Sequence, residues 1–358
     1  MTLPTTTKAV RIFEHGGPEV LAYDDYPLEP LGELSVMVQV AATSVSGWDV
    51  KYRNGLKREL ENPGRGAFPV PQQLGREAAG VVIGVGAGVT RFSVGDRVVA
   101  VVHPENFESS EGIRGLGNLA RDLAIPGHQA FGGNAEYLVR DEKMWLPVPD
   151  GVSLEQAAVT LWPFDTAHRV IVDRLQVKLG DVVLVHGASG GMGQAVVQIA
   201  RLAGARVLAT TRHANKREQI GSLGVEVVVT EDLAAARDEI VALTHGEGVD
   251  HVVDFTDNRS LIELSVQTLR LGGKMCLAGG HVDPNGLPLS TADFVRLECT
   301  IVGVRGGRIK DAVAVLDLLG RGLISTPIAA TFPMSEVREA HMLLENKGDL
   351  FGRIVLKP

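Results

Sequence analysis

The chain has 358 residues, more than one ordinary hydrophobic core organises, so two domains are expected. Its 45% hydrophobic and 22% charged residues suit a water-soluble globular protein, and a net charge of −8 without a local Lys/Arg cluster argues against nucleic-acid binding. Two cysteines, Cys276 and Cys299, stand in no CxxC or CxxH spacing, which excludes a zinc site built on thiolates and suits a reducing compartment.

The N-terminal stretch MTLPTTTKAVRIFEHGG lacks the apolar core of a secretory signal. No apolar run approaches the roughly 20 residues that a membrane helix needs, so a cytosolic location is expected. The first part of the chain is strand-rich. AVRIF, LSVMVQVAATSV and AAGVVIGVGAGV are apolar and β-branched, with Gly and Pro between them, and FSVGDRVVAVV turns tightly at Gly95-Asp96 into another strand. From about Ser153 short buried strands alternate with helical stretches. The strands are VVLVHG (182–187), ARVLATT (205–211), EVVVT (226–230), DHVVDF (250–255), GKMCLAGG (273–280) and CTIVGV (299–304). The helical patterns between them are GQAVVQIARLAG, ANKREQIGSLG, LAAARDEIVALTHG and RSLIELSVQTLRLG. This alternation predicts βαβ units and a parallel sheet covered on both faces, where near-continuous apolar strands are required. After about Lys310 the pattern predicts a helix (DAVAVLDLLGRG), a strand (ISTPIAATF), a helix (SEVREAHMLLEN) and a last strand (GRIVLKP). This tail is more like the first part than the middle, which predicts that it packs back there and makes the central sheet an insertion.

VVLVHGASGGMGQAVVQIA is the most informative stretch. A buried strand ends at His186, the run Gly187-Ala188-Ser189-Gly190-Gly191-Met192-Gly193 follows, and then a helix begins. In that setting the glycines bring backbone N–H groups and the helix N-terminus to a pyrophosphate; the bland alternative is a glycine-rich turn without a ligand. The next strand ends Thr211-Arg212-His213, with Asn215-Lys216-Arg217 beyond. An NAD site usually carries a carboxylate there, on the ribose 2′-OH. Here Thr211, Arg212 and Lys216 suit a 2′-phosphate, so NADPH is expected rather than NADH. The alternative, solvated helix residues, fits Arg217 better than Arg212.

With these motifs in view, the whole chain resembles the medium-chain dehydrogenase/reductase superfamily. The resemblance is carried by LGREAAGVVIGVGAGVTRFSVGDRV, GGNAEYLV, LPVPDGVSLEQAA, HGASGGMG and GRIVLKP, in that order. It implies an α/β protein in which a Rossmann doubly wound parallel sheet (156–307) is inserted into a β-rich GroES-like catalytic domain (1–155 plus 308–358). The zinc alcohol dehydrogenases of this superfamily hold their metal with a Cys after an early strand, the His of GHE, and a second Cys. The matching positions here read Ser44-Val45-Ser46-Gly47-Trp48-Asp49, then Arg76 before Glu77, then Leu161-Trp162-Pro163-Phe164-Asp165-Thr166. Arginine does not give up its proton to bind a cation, and Arg76 and Glu77 are expected to form an internal ion pair. Residues 103–132 keep the length of the structural zinc lobe without a cysteine. His103, His128, His168, His186, His213, His251 and His281 show no paired ligand spacing, so no metal is expected.

Without zinc, hydride addition to an activated C=C bond is the natural chemistry, with hydrogen-bond donors receiving the charge that develops on the carbonyl oxygen. The sequence resembles the zinc-free quinone oxidoreductases and enoyl reductases, which implies NADPH and a conjugated carbonyl substrate. Tyr52 is the candidate catalytic donor, or a ring packed over a cleft. Ser44, Ser46, Trp48, Trp162 and His128 are further candidates for the substrate pocket. Thr166, Thr256, Ala278-Gly279-Gly280 and Gly352 fall where relatives, or doubly wound sheets generally, meet the cofactor. A reductive cyclase acting on a polyketide-like substrate and an NADPH-binding protein without turnover are the alternatives. The strand CTIVGV resembles the edge through which superfamily dimers pair, which implies a homodimer.

Overall fold

The computed structural model describes residues 2–55, 68–279, 286–346 and 350–358. The described chain divides into two compact units, residues 2–162 with 308–358, and residues 163–307.

The first unit opens with β1 (Thr6–Ile12), which pairs antiparallel with β2 (Ala22–Pro27) and β4 (Gln72–Gln73). Its main sheet is organised by the long strand β3 (Ser35–Val45). One edge of β3 pairs with β5 (Ala78–Val85), and β6 (Arg97–Ala100) and β8 (Trp145–Pro147) continue the sheet beyond it. The other edge takes β7 (Tyr137–Asp141) along Ser35–Gln39 and the last strand of the chain along Thr43–Val45. Val36, Val38 and Val40 alternate inward onto Ala78, Val82, Val98, Leu138 and Trp145, which explains the alternating apolar pattern. At the end of β3, Ser46 starts α1 (Gly47–Arg53) through a capping box with Asp49. A four-residue helix, α2 (Ser110–Ile113), lies within residues 103–132. The helix α3 (Leu154–His168) contains Pro163.

The second unit is a six-stranded parallel sheet of β9 (Val182–His186), β10 (Arg206–Thr211), β11 (Glu226–Val229), β12 (Val249–Asp254), β13 (Leu269–Leu277) and β14 (Thr300–Gly303). Their order is β11-β10-β9-β12-β13-β14, which places the chain reversal between β9 and β12. The connections are α4 (Gly191–Leu202), α5 (Arg217–Gly221), α6 (Leu233–Leu243), α7 (Arg259–Thr268) and α8 (Thr291–Leu297). Asp232, Asn258 and Ser290 cap α6, α7 and α8 with their side chains. Leu208, Leu184, Val252 and Met275 line up across the sheet and share one core cluster with Val228, Ile240, Leu261 and Leu264. The stretch RSLIELSVQTLRLG divides: the helix stops at Thr268, and Leu269 begins β13 by pairing with Val249.

The chain returns to the first unit through α9 (Ile309–Gly320), β15 (Ile328–Pro333), α10 (Val337–Asn346) and β16 (Arg353–Lys357). β16 adds to β3 with Ile354 opposite Val45 and Val355 opposite Ser44. The fold is thus a Rossmann-type parallel sheet together with a GroES-like β domain built from both ends of the chain. Among the described residues no helix is long and apolar enough to cross a membrane.

Candidate active site

In the second unit, the glycine run forms the turn between β9 and α4. Gly190 is the N-cap of α4, and no side chain caps the first turn, so its backbone N–H groups remain for a ligand. A Cβ at Gly193 would lie 2.2 Å from the Gly187 carbonyl oxygen, so only glycine lets the helix start this close to the strand. Gln194 donates to the Ser189 carbonyl (2.9 Å) and steadies the turn. Ala188 is buried, Gly190 is exposed, and Gly191 and Met192 are half-buried at the helix start. Beneath the turn, His186 bridges Thr210 (2.7 Å) and Ser265 (2.8 Å), and burial pushes its imidazole down to about 4.

At the end of β10, Thr211 is buried and exchanges hydrogen bonds with the His213 backbone. Arg212 is exposed and makes no ion pair with a described residue, whereas Lys216 is buried. Arg217 pairs with Glu239 at the surface. After β12, Asp254 accepts from the Thr256 N–H (2.9 Å), the Thr256 hydroxyl (2.9 Å) and the Asp257 N–H (3.0 Å), which sets the turn on which Thr256 is exposed. Ala278 donates to the Asp254 carbonyl, and Gly279 lies so close to Asp257 that a side chain there would collide with its carboxylate. Gly280 and His281 lie outside the described residues. Thr166 is buried and donates to Asp165 (3.0 Å). The turn, Arg212, Thr256 and Gly279 therefore gather at the carboxyl ends of the strands. An uncapped helix start behind a turn that tolerates no Cβ fits the pyrophosphate of a dinucleotide.

In the first unit, the strand register builds a buried polar cluster. Ala78 pairs with Thr43 on one edge of β3, and Ile354 pairs with Val45 on the other. The residues just before them, Glu77 and Arg353, fall against Ser44 and Ser46, and both side chains reach the Ser44 hydroxyl. Arg353 forms an ion pair with Glu77 and donates to the Ser44 hydroxyl (2.9 Å), and Ser44 donates to Glu77. The Trp162 N–H reaches the other carboxylate oxygen of Glu77 (3.3 Å). Burial pushes the Glu77 carboxyl up, opposed by Arg353 and these donors. The expected Arg76–Glu77 pair is corrected: the partner of Glu77 is Arg353, because neighbouring residues leave an extended backbone on opposite sides while β16 delivers Arg353 to the same side.

Arg76 instead lies 4.5 Å from the centre of the Trp162 ring and donates a long hydrogen bond to the Tyr52 hydroxyl (3.4 Å). Tyr52 is buried on α1, stacked on Phe68 (4.8 Å) and tilted against Trp48 (5.8 Å) and His128 (4.9 Å). Ser46 spends its hydroxyl and N–H on Asp49, whose other oxygen accepts from the Gly75 N–H (3.0 Å). Gly75 has φ +88°, and a Cβ there would strike the Asn134 amide, which explains the glycine of LGRE. Gly352 has φ +112° and is buried against Pro327. The structure thus brings Ser44, Ser46, Tyr52, Trp48, Trp162 and His128 into one neighbourhood with Arg76, but holds Ser44 and Ser46 through bonds inside the protein. Among the described residues no three His, Cys, Asp or Glu side chains are grouped to hold a metal ion. The sequence reading missed the role of Asp49 and the pairing of Arg353 with Glu77. Arg353 stands in the quoted GRIVLKP, but no local pattern ties it to a glutamate 276 residues earlier.

Two family models match. The model for the GroES-like domain of alcohol dehydrogenases covers residues 32–150, and that for zinc-binding dehydrogenases covers residues 191–321. A solved structure of an NAD-dependent alcohol dehydrogenase superposes with a TM-score of 0.90 and 32% identity, over 98% of this chain and 99% of that one. The chain belongs to the medium-chain dehydrogenase/reductase superfamily. Within the superfamily it is similar to a 2-haloacrylate reductase of Burkholderia sp, 29% identical over 98% of both chains. It is also similar to the quinone oxidoreductase of Homo sapiens, 27% identical over 98% of this chain and 97% of that one. Its superfamily makes it an oxidoreductase with a nicotinamide dinucleotide as cofactor. The match to the model for zinc-binding dehydrogenases does not extend to residues 44–49, 76–77 or 161–166.

Proposed function

We propose that the chain is a zinc-independent, NADPH-dependent reductase of activated C=C bonds, in quinones, enones or related conjugated carbonyl compounds. The observation that carries this reading is Arg76. A buried guanidinium occupies the position at which zinc-dependent relatives place a histidine ligand, and it repels a cation instead of binding one. The neighbouring carboxylate is already held by Arg353 and Ser44.

The bound cofactor supplies a hydride from the C4 of its reduced nicotinamide. The turn Gly187–Gly193 and the start of α4 hold the pyrophosphate. Exposed Arg212, with Thr211 and Lys216 beside it, receives the 2′-phosphate, and no carboxylate at the end of β10 competes for a 2′-hydroxyl. In the first unit, Tyr52 and Arg76 supply hydrogen-bond donors for oxygen that gains negative charge as the alkene is reduced. A similar 2-haloacrylate reductase and quinone oxidoreductase support the choice of substrate class. Among the described residues no strand pairs with the outer edge of β14, which supports a two-fold dimer formed through it.

The test is oxidation of NADPH and NADH with a panel of quinones and enones, before and after exhaustive chelation. Turnover with NADPH and an activated alkene, unchanged by chelation, is the expected result. Activity restored only by adding a divalent metal, or a preference for plain alcohols with NAD, would overturn the reading. Light scattering reports the dimer, and a monomeric mass at micromolar concentration would overturn that part.

A further inference from the structure

Arg76 is only 7% exposed, yet no carboxylate of a described residue lies within ion-pair distance of it. One guanidinium nitrogen reaches the Tyr52 hydroxyl at 3.4 Å, and its Nε has no hydrogen-bond partner. Other buried arginines of the same unit are satisfied differently. Arg53 binds Glu345 (2.6 Å) and the Gly16 carbonyl (3.1 Å), and Arg353 binds Glu77 and Ser44. The carboxylates nearest Arg76 in sequence and fold are occupied elsewhere. Glu77 serves Arg353, Ser44 and the Trp162 N–H, and Asp49 serves Ser46 and the Gly75 N–H. Asp49 feels Arg76 through its field without bonding to it. The Trp162 face fixes one side of the guanidinium and keeps water from it.

A buried cation without an anion is costly, and the planar fork of arginine matches a carboxylate. We propose that Arg76 is the receptor for a carboxylate carried by the substrate, so that the preferred alkene is conjugated to a free acid. This rests on the reductase reading above and names the substrate class of the same site. Tyr52 stands at the other end of the guanidinium and orients it.

The test compares methacrylate with its neutral methyl ester, in wild type and in Arg76→Gln. The ratio of kcat/KM for acid over ester falls about 100-fold in the variant, the loss expected for charge-assisted hydrogen bonds. Arg76→Lys keeps the charge without the fork and gives an intermediate ratio. A purely structural role for Arg76 lowers both substrates alike and leaves the ratio where it was, which overturns the proposal. Isobutyrate, saturated and unreactive, provides a measurement independent of turnover. It is expected to perturb tryptophan fluorescence in wild type through Trp162, with binding weakened about 100-fold in Arg76→Gln that retains wild-type circular dichroism. Absence of turnover with both acid and ester sinks the reductase reading while isobutyrate binding still tests the receptor. Equal isobutyrate binding by both proteins, or none by wild type, overturns the receptor itself.

Discussion

Lowering the pH through the histidine range should destabilise this protein by a measurable share assigned to one residue, His186. Its ring lies at the end of β9, fully buried, between the hydroxyls of Thr210 and Ser265. Burial lowers its proton affinity from the ordinary 6.5 to about 4. Between those values the unfolded chain takes a proton that the folded chain refuses. Stability from this group is therefore complete above about pH 7 and declines as the pH falls toward 4. At pH 5 the linkage relation makes the loss about 2 kcal/mol relative to pH 8. The assay is urea unfolding of wild type and His186→Gln at both values, followed by circular dichroism and fluorescence together. At pH 8 the variant is less stable by about 1–3 kcal/mol, because two buried hydroxyls lose their partner. At pH 5 that gap narrows by about 2 kcal/mol, since glutamine does not titrate. His341, held near 3 by burial and by Arg53, adds acid sensitivity in the same direction in both proteins. A gap that stays constant from pH 8 to pH 5 would refute the burial argument for His186.

Three further outcomes are expected. Gly193→Ala places a Cβ 2.2 Å from the Gly187 carbonyl oxygen, so the turn must open, and nucleotide affinity falls at least about 10-fold by fluorescence titration; unchanged affinity would contradict the cradle. Arg212→Ala raises the KM for NADPH about 10-fold or more and leaves that for NADH nearly unchanged, as expected for loss of one charge-assisted contact. Equal effects on both nucleotides would remove the 2′-phosphate assignment. Glu77→Gln and Arg353→Met each cost about 3–5 kcal/mol by leaving a buried charge without its partner. The double variant loses less than the sum in a thermodynamic cycle, and strict additivity would mean that the pair does not interact.

The parallel sheet is legible in the sequence because each strand is buried on both faces, and continuous runs such as VVLVH and HVVD have few other destinations. The glycine turn is legible for a local reason: Gly193 meets Gly187 within one strand–turn–helix unit. The first unit is harder. LGRE shows its glycine but not Asn134, whose side-chain amide and backbone nitrogen demand it. Ser44 and Ser46 are visible as small polar residues near the end of a strand, yet one belongs to an ion pair and the other to a helix cap. The partner of Glu77 is hidden for the same reason. A contact made by sheet register across a whole intervening domain leaves no mark in spacing or periodicity.

That register has a consequence for how the protein is made. The Glu77 carboxylate, just ahead of β5, emerges early in synthesis, while the guanidinium that neutralises it follows 276 residues later on the final strand. Until that strand docks beside β3, a half-built β domain holds an acid that resists burial in its deprotonated form. Nascent chains stalled before residue 353 should therefore keep this corner open to proteases, even after the nucleotide-binding sheet has folded.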